Sequence, residues 1–167
     1  MEVYTLRIEY GDICETTCDA IVNASNGIGY MGGKAGIRKR RPGVAESLHY
    51  ISRGQIEDCA KKLCKNHSAL GFAPGNVFVT PAFELNCKHI IHAVTMRLPG
   101  TFSNINTIEI LLPQILEQAR SMNLKSIAIP LLGTGTGGLS EKKVLDLYRI
   151  HFETVTDLDI CVYIYRK

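Results

Sequence analysis

The feature that most constrains the fold is a series of continuous apolar runs, each too short to form a helix alone. Three examples are AIV at residues 20–22, IIHAV at residues 90–94 and IAI at residues 127–129. A strand with one wet face alternates polar and apolar residues, whereas a continuous run is typical of a strand covered on both faces. The sequence therefore predicts a central sheet between two layers of helices.

Helical patterns lie between the predicted strands. From Val44 through Cys59 to Leu63, apolar residues recur at every third or fourth position, and only Gln55 interrupts the series. The adjacent Gly54 predicts that this segment is divided into two helices. A second pattern covers residues 105–119, where Pro113 predicts a kink or a later start. A third begins after Ser140, a good N-cap. The six predicted strands cover residues 4–9, 20–23, 77–80, 89–95, 126–130 and 159–165.

Strands and helices alternate over the later chain, which predicts a three-layer α/β/α sandwich with a mixed, mostly parallel central sheet. The 167 residues, 46% of them hydrophobic, lack repeats and linkers, so we expect a single domain over residues 1–167.

The amino terminus does not resemble a signal peptide, and no apolar stretch could cross a membrane, so we expect a cytoplasmic protein. There the six cysteines are expected to be reduced, partly buried thiols, because their spacing fits no zinc knuckle. The net charge of +3 is small for a general nucleic-acid binder.

Two glycine-rich segments follow predicted strands. The first glycine loop, residues 24–36, reads ASNGIGYMGGKAG, and the second glycine loop, residues 131–139, reads LLGTGTGGL. Glycines let backbone N–H groups converge on one anion, and a following helix adds its own free N–H groups. Thr134 and Thr136 can add hydroxyl donors. Because two loops share this pattern at predicted strand ends, a phosphate site is favoured over two flexible turns. Neither loop is a P-loop or a dinucleotide fingerprint.

Several segments resemble the motifs of macrodomains. DAIVNASN at residues 19–26 resembles the signature DAIVNAAN, and residues 130–139 resemble the second phosphate loop, PxxSTGxxGxP. CKHIIHAV at residues 87–94 is similar to the strand KYVIHTVGP, and GDI at residues 11–13 resembles the family's GDI. These segments occur in the family's order from about residue 6 to the carboxyl terminus.

The resemblance implies a site for ADP-ribose. Asp12 would accept a hydrogen bond from the exocyclic amine of adenine, with the Ile13 backbone beside it. Asn26 would bind the distal ribose, and Tyr165 would stack on adenine. The residues expected to wrap the diphosphate are Gly32, Gly33, Lys34, Ala35, Gly133, Thr134, Gly135, Thr136 and Gly138.

Simpler interpretations stand beside these roles. Asp12 and Asn26 are common turn residues beside glycine, although the motif order favours the ligand role for both. Tyr165 could equally be an exposed terminal aromatic. The basic run at residues 38–41 is either a solvated helix start, which is favoured, or an attractor for an anionic ligand or polymer. The histidines at positions 89 and 92 read as packed or hydrogen-bonded side chains rather than catalysts.

The chain also departs from the family pattern. The first glycine loop lacks the carboxylate of ester-hydrolysing members, the glutamate pair of the glycohydrolase branch and the Cys and His ligands of zinc-bearing members. Met96-Arg97 replaces the lysine of another branch, and Gly137 replaces an aromatic that covers the distal ribose, which implies a more open pocket. No cofactor or metal is therefore expected.

Three functions are consistent with these features. The first is hydrolysis of ADP-ribosyl adducts or O-acetyl-ADP-ribose by a water that the ligand's own phosphate assists, with Asn26 positioning the distal ribose and Lys34 as a further catalytic candidate. The second is a non-catalytic reader of ADP-ribose or ADP-ribosylated targets. The third is a binder of RNA or another nucleotide. The expected partners are ADP-ribose or an ADP-ribosylated protein or nucleic acid, and no membrane.

Overall fold

The computed structural model of the chain describes residues 6–166, in which a six-stranded sheet lies between two layers of helices. The strands are β1 (Leu6–Tyr10), β2 (Ala20–Asn26), β3 (Val77–Pro81), β4 (His89–Met96), β5 (Ser126–Pro130) and β6 (Asp159–Ile164). The helices are α1 (Gly33–Arg38), α2 (Val44–Ile51), α3 (Gln55–His67), α4 (Ile105–Ser121) and α5 (Glu141–Phe152), and a 3-10 turn covers Ile13–Glu15.

The strand order is β1-β6-β5-β2-β4-β3, and every neighbouring pair is parallel except β3 and β4. This arrangement confirms the predicted mixed, mostly parallel sheet. Because β1, β6, β5, β2 and β4 run in the same direction, their carboxyl ends lie along one edge, called here the carboxyl edge.

Each apolar run is divided between two hydrophobic cores because successive side chains of a strand point to opposite faces. In β2, Ala20 and Val22 belong to the larger core with residues of α4 and α5. Ile21 belongs to a second core that includes Leu48 of α2 and Ile56 of α3. Helices therefore cover both faces of the sheet, and the three-layer prediction is confirmed.

All six predicted strands are present. β2 is longer than predicted, because it continues to Asn26 instead of ending at Asn23. Tyr4 and Thr5, where the first predicted strand begins, lie outside the described residues. The other strand bounds differ from the predicted ones by one residue at most.

The predicted division at Gly54 is confirmed, since α2 ends before it and α3 begins after it. The predicted apolar face of α3 is wrong by one residue. Its buried side chains include Ile56 and Ala60, whereas Leu63 is 38% exposed. The reason is that α3 is a new helix after Gly54, so the spacing set by α2 does not continue through it.

Two helix starts also differ from prediction. The predicted later start of the fourth helix is wrong, because α4 begins at Ile105 and includes Pro113. Its start is fixed by Asn104, whose side chain accepts a hydrogen bond from the Asn106 N–H at 2.8 Å. The interpretation of residues 38–41 as a helix start is wrong, since Arg38 is the last residue of α1.

The amino ends of three strands are joined by Asp19, which lies just before β2. Its carboxylate accepts hydrogen bonds from the N–H groups of Lys125 (2.7 Å) and Ser126 (3.3 Å), at the start of β5. Its carbonyl accepts the Lys88 N–H at 2.7 Å, and the Lys88 ammonium lies 3.1 Å from its carboxylate. Burial tends to raise the pKa of Asp19, but these donors hold it below its ordinary value. The signature aspartate is thus far from the carboxyl edge and fixes the register of the sheet.

The six cysteines have free thiols and five of them are buried, as expected for packed side chains. Within residues 6–166, no group of three or more His, Cys, Asp or Glu side chains is arranged to hold a metal ion. In the same range no helix is long and apolar enough to cross a bilayer.

Candidate functional site

The carboxyl edge brings the predicted site residues together in one row. Asp12 and Ile13 follow β1, and Tyr165 follows the neighbouring strand β6. The second glycine loop follows β5, and the first glycine loop follows β2, which pairs with β5. Tyr165 is 65% exposed, which fits both interpretations of this residue. The adenine end of the predicted site therefore lies at β1 and β6, and the opposite end at β2 and β4.

Asn26 holds the turn that begins the first glycine loop. Its side-chain oxygen accepts hydrogen bonds from the N–H groups of Ile28 (3.2 Å) and Tyr30 (3.1 Å). Its amide nitrogen donates to the Tyr30 carbonyl at 2.8 Å, and the residue is only 7% exposed. One amide hydrogen remains for a ligand. Asn26 thus has a turn-forming role, and its contact with a distal ribose stays a prediction.

A buried carboxylate accepts hydrogen bonds from the backbone of the first glycine loop and stabilises it. Glu57 of α3 is 3% exposed, and one of its oxygens accepts the N–H groups of Met31 (2.6 Å) and Gly33 (3.0 Å). Its other oxygen accepts a hydrogen bond from Lys61 at 2.7 Å. Burial tends to raise the pKa of Glu57, but these donors hold it below its ordinary value. The Gly33 N–H is thus engaged within the protein.

His49 completes this support. Its Nε2 lies 2.7 Å from the Gly33 carbonyl and donates to it, because a carbonyl can only accept. Its Nδ1 lies 3.9 Å from the Glu57 carboxylate and has no hydrogen-bond partner among residues 6–166. Sequence reasoning missed both side chains. Nothing in the spacing of His49 or Glu57 connects either side chain with the loop, because Gly33 lies 16 residues before His49 and 24 residues before Glu57.

The first glycine loop still presents open donors. The N–H groups of Gly32, Lys34 and Ala35 have no acceptor in the described part of the chain, because the first turn of a helix lacks internal partners. Gly32 adopts a φ of 145°, a conformation that side chains rarely tolerate. Lys34 is exposed beside this turn.

The second glycine loop is shaped chiefly by its own backbone. The Leu139 N–H donates to the Gly133 carbonyl at 2.9 Å, and the Gly138 N–H donates to the Gly135 carbonyl at 3.1 Å. The Thr134 hydroxyl donates to the Leu131 carbonyl at 2.7 Å, so it is not a free donor as the sequence suggested. At the tip of this loop, the N–H groups of Gly135, Thr136 and Gly137 have no acceptor within residues 6–166.

Tyr148 of α5 fixes the start of the second glycine loop. Its hydroxyl donates to the Pro130 carbonyl at 2.6 Å and accepts the Leu132 N–H at 2.9 Å. Burial raises the pKa of Tyr148, so this hydroxyl keeps its proton. Nothing in the sequence indicated this contact between α5 and the loop.

The segment between β4 and α4 lies against the tip of the second glycine loop. The Ser103 N–H donates to the Gly137 carbonyl at 3.0 Å, and a Cβ on Gly137 would overlap with the Ser103 hydroxyl. Ser103 therefore fills the space to which a side chain of residue 137 would point, whereas the more open pocket near the reacting end stays a prediction. A Cβ on Gly138 would lie 3.3 Å from the ring of Phe102, which places that ring beside the loop.

Asp12 has two protein partners. One carboxylate oxygen accepts the Cys14 N–H at 2.9 Å, and the other pairs with the guanidinium of Arg40. Arg40 also donates to the Ser47 hydroxyl at 3.2 Å. Burial tends to raise the pKa of Asp12, but the Cys14 N–H and Arg40 hold it below its ordinary value. Asp12 therefore caps the 3-10 turn, and its adenine contact stays a prediction.

His92 is a structural residue, as predicted. It is fully buried, and its Nδ1 accepts a hydrogen bond from the Asn23 amide at 3.2 Å. Its Nε2 therefore carries the proton and donates to the Thr80 hydroxyl at 2.9 Å. Burial lowers the pKa of His92 to about 3, so the ring is neutral and faces no ligand.

Comparisons with known proteins agree with this geometry. An uncharacterized protein of Thermoplasma acidophilum is 30% identical over 137 residues, which cover 81% of this chain and 65% of that protein. A DNA ADP-ribosyl glycohydrolase of Mycobacterium tuberculosis is 28% identical over 155 residues, 92% of this chain and 40% of that protein. The chain therefore spans less than two thirds of the length of either relative.

The fold has a clear counterpart among solved structures. The macrodomain of Mycobacterium tuberculosis DarG superimposes with a TM-score of 0.81 at 25% identity, over 96% of this chain and 97% of that chain. The family model described as Macro domain matches residues 22–148, which include both glycine loops. The chain belongs to the Macro domain family.

Proposed function

We propose that this chain binds ADP-ribose along the carboxyl edge and hydrolyses ADP-ribosyl adducts or O-acetyl-ADP-ribose. One observation carries the proposal: β2 and β5 are neighbours, so the two glycine loops lie at one edge, and each has N–H groups that find no acceptor among residues 6–166. Converging free N–H groups bind phosphate. The relative from Mycobacterium tuberculosis is named for an ADP-ribosyl substrate, which supports the same ligand.

In this proposal the ligand lies across the strand order. Asp12 and Ile13 receive the adenine, on which Tyr165 stacks, and the diphosphate lies between the glycine loops. The remaining amide hydrogen of Asn26 binds the distal ribose. The open N–H groups of the two loops, rather than that of Gly33, bind the phosphate oxygens.

In this proposal no side chain of the protein acts as the base that deprotonates the attacking water. Glu57 is the carboxylate that contacts the first glycine loop, but its oxygens already accept three donors from within the protein. A water oxygen therefore attacks the anomeric carbon of the distal ribose while a phosphate oxygen of the ligand takes the water proton. For an ADP-ribosyl adduct, the bond from that carbon to the carrier's oxygen breaks, and the electron pair leaves with this oxygen, which then takes the proton from the phosphate. For O-acetyl-ADP-ribose, the water attacks the acetyl carbonyl carbon instead, and the bond from that carbon to the ribose oxygen breaks, which releases acetate and ADP-ribose. Lys34 stabilises the negative charge that develops.

The charge distribution favours a second candidate, an adduct attached to nucleic acid. The segments of residues 20–45, 88–108 and 120–140 contain no Asp or Glu, and they supply the loops that follow β2, β4 and β5. In this candidate the exposed basic run at residues 38–41 meets the phosphate backbone of the carrier. Affinity for an oligonucleotide that then falls steeply with salt is expected, and salt-independent affinity would remove this candidate.

Calorimetric titration with ADP-ribose, AMP and NAD tests the binding step. We expect micromolar affinity for ADP-ribose, and a weaker affinity after Asp12→Ala. Undetectable binding of ADP-ribose by the wild-type protein would refute the proposed ligand. Residues 1–167 form one domain in this proposal and act in the cytoplasm.

Release of ADP-ribose from a modified carrier tests turnover and separates a hydrolase from a non-catalytic reader. Lys34→Met should lower the rate by about tenfold or more, because it removes a charge next to the reacting end. Lys65→Met is the matched control, since Lys65 is an exposed lysine in the last turn of α3, outside both glycine loops and the basic run. Tight binding without any release would make the protein a reader.

Asn26→Ala is expected to abolish release, but the loss of three loop hydrogen bonds also distorts the first glycine loop. Affinity for ADP-ribose must therefore be measured on the same variant. Full activity of Asn26→Ala would refute the positioning role of this residue.

A further inference from the structure

Phe102 is an exposed aromatic that the proposed function leaves without a role. It lies between β4 and α4, and 87% of it is exposed, more than of any other large hydrophobic residue among residues 6–166. Single exposed hydrophobic residues are common on protein surfaces, so the place of this ring, and not its exposure alone, points to a role.

The position of Phe102 is fixed by its neighbours. The next residue, Ser103, donates its N–H to the Gly137 carbonyl at 3.0 Å and packs so closely on Gly137 that only glycine fits there. The Phe102 ring lies beside Gly138, where an added Cβ would be 3.3 Å from it. The backbone next to Phe102 is therefore anchored at the tip of the second glycine loop, and the exposed ring lies beside that tip.

That tip is where a ligand is expected. The N–H groups of Thr136 and Gly137 have no acceptor within the described chain and lie directly before Gly138 in sequence. The segment that carries Phe102 begins where β4 ends, and β4 lies on the opposite side of β2 from β5 and β6. Phe102 therefore approaches the second glycine loop from the β4 side, away from Asp12 and Tyr165.

We propose that Phe102 is a specificity-determining residue, whose ring packs on the distal ribose of ADP-ribose. This inference rests on the proposed function. The flat apolar face of a sugar packs well on an aromatic ring, and the ring excludes water from the far end of the site. The second glycine loop supplies N–H groups for phosphate, and the segment after β4 supplies the apolar wall beside it.

The test compares ADP-ribose with ADP, which lacks the distal ribose. By calorimetry, Phe102→Ala should weaken ADP-ribose binding by about three- to tenfold and leave ADP binding within about twofold. Phe102→Tyr should keep the wild-type ratio of the two affinities. Ile150→Ala is the control, because Ile150 is 72% exposed on α5 and lies outside the loops of the carboxyl edge.

A second readout uses the absence of tryptophan from the chain. Phe102→Trp creates a single tryptophan, whose selectively excited emission should change with ADP-ribose and much less with ADP. Equal losses for both ligands in Phe102→Ala, or no loss for either, would overturn the role of Phe102 while wild-type binding still supports the proposed function. Absence of wild-type binding to ADP-ribose would instead overturn the proposed function and this inference with it.

Discussion

The two glycine loops have similar compositions but are supported in different ways. The first glycine loop depends on side chains that come from outside it, above all Glu57 and His49, and on Asn26 at its start. The second depends on hydrogen bonds within its own backbone, and one hydroxyl, that of Tyr148, fixes its start. A glycine-rich sequence therefore predicts where N–H groups gather, whereas the supporting side chains decide which of them remain free for a ligand.

Among the changes that distinguish the two loops, removal of Glu57 should have the largest effect on the free energy of unfolding. Glu57→Ala leaves the buried N–H groups of Met31 and Gly33 without an acceptor, so the free energy of unfolding should fall by roughly 3–5 kcal/mol. Urea denaturation measures this change. Lys61→Met is the comparison variant, because it leaves both loop N–H groups with their acceptor and removes only the half-exposed partner of Glu57, so it should cost less, about 1–2 kcal/mol. Equal losses in both variants would assign the stability to the ion pair instead of the loop.

Removal of one hydroxyl should loosen the second glycine loop by a smaller amount. Tyr148→Phe leaves the Leu132 N–H and the Pro130 carbonyl without their partner, which should lower the free energy of unfolding by about 1–3 kcal/mol. Tyr50→Phe on α2 is the matched control, since Tyr50 is 38% exposed and should cost less than about 0.5 kcal/mol. A loss as large as that of Glu57→Ala would contradict the difference between the loops.

The same substitution should destabilise the protein at one glycine of the second loop and have almost no effect at another. Gly137→Ala forces a methyl group against Ser103 and should destabilise the protein by about 1–3 kcal/mol. Gly135→Ala meets no atom within 4 Å and should change stability by less than about 0.5 kcal/mol. If the proposed ligand approaches this backbone, Gly135→Val will weaken ADP-ribose binding without unfolding the protein. Unchanged ligand affinity in Gly135→Val would move the diphosphate away from this loop.

A lower pH should affect the first glycine loop but not the second, and this is the smallest of the expected effects. The pKa of Glu57 is below its ordinary value, so its stabilising contribution is present above the unfolded-state pKa of about 4.3 and is lost as the pH falls through the folded-state pKa. The amide signals of Met31 and Gly33 should therefore move in acid, as measured by NMR. The Leu132 amide should not follow them, because the pKa of Tyr148 is raised and its hydroxyl remains protonated. Parallel movement of all three signals would indicate global unfolding.

Much of the fold was predictable because the information is local. The runs at residues 20–22, 90–94 and 127–129 each identify a strand buried on both faces, and the glycine loops after two of them locate the carboxyl edge. The N-cap at Ser140 was equally local, and its side chain accepts the Lys143 N–H. Such features depend on neighbours within a few residues, so a single sequence contains them.

The support of the site was not predictable because it depends on distant pairings. Glu57 lies 24 residues after Gly33 in sequence, and Arg40 lies 28 residues after Asp12, with no periodic pattern linking either pair. The apolar face of α3 was misplaced for a similar reason, since its rotation is set by packing after Gly54. The contact between Ser103 and Gly137 likewise required the three-dimensional arrangement of β4 beside β2.

Asp19 links the strands at one end of the sheet, and the glycine loops lie at the other end. It joins the starts of β2, β4 and β5 at the edge opposite the glycine loops, so the vertical alignment of these strands is set independently of the loops at their carboxyl ends. A change in a loop therefore leaves the level of the strands unaltered. For protein engineering, the second glycine loop, which is held chiefly by its own backbone, is the better place for new ligand preferences, because the first glycine loop also requires Glu57 and His49.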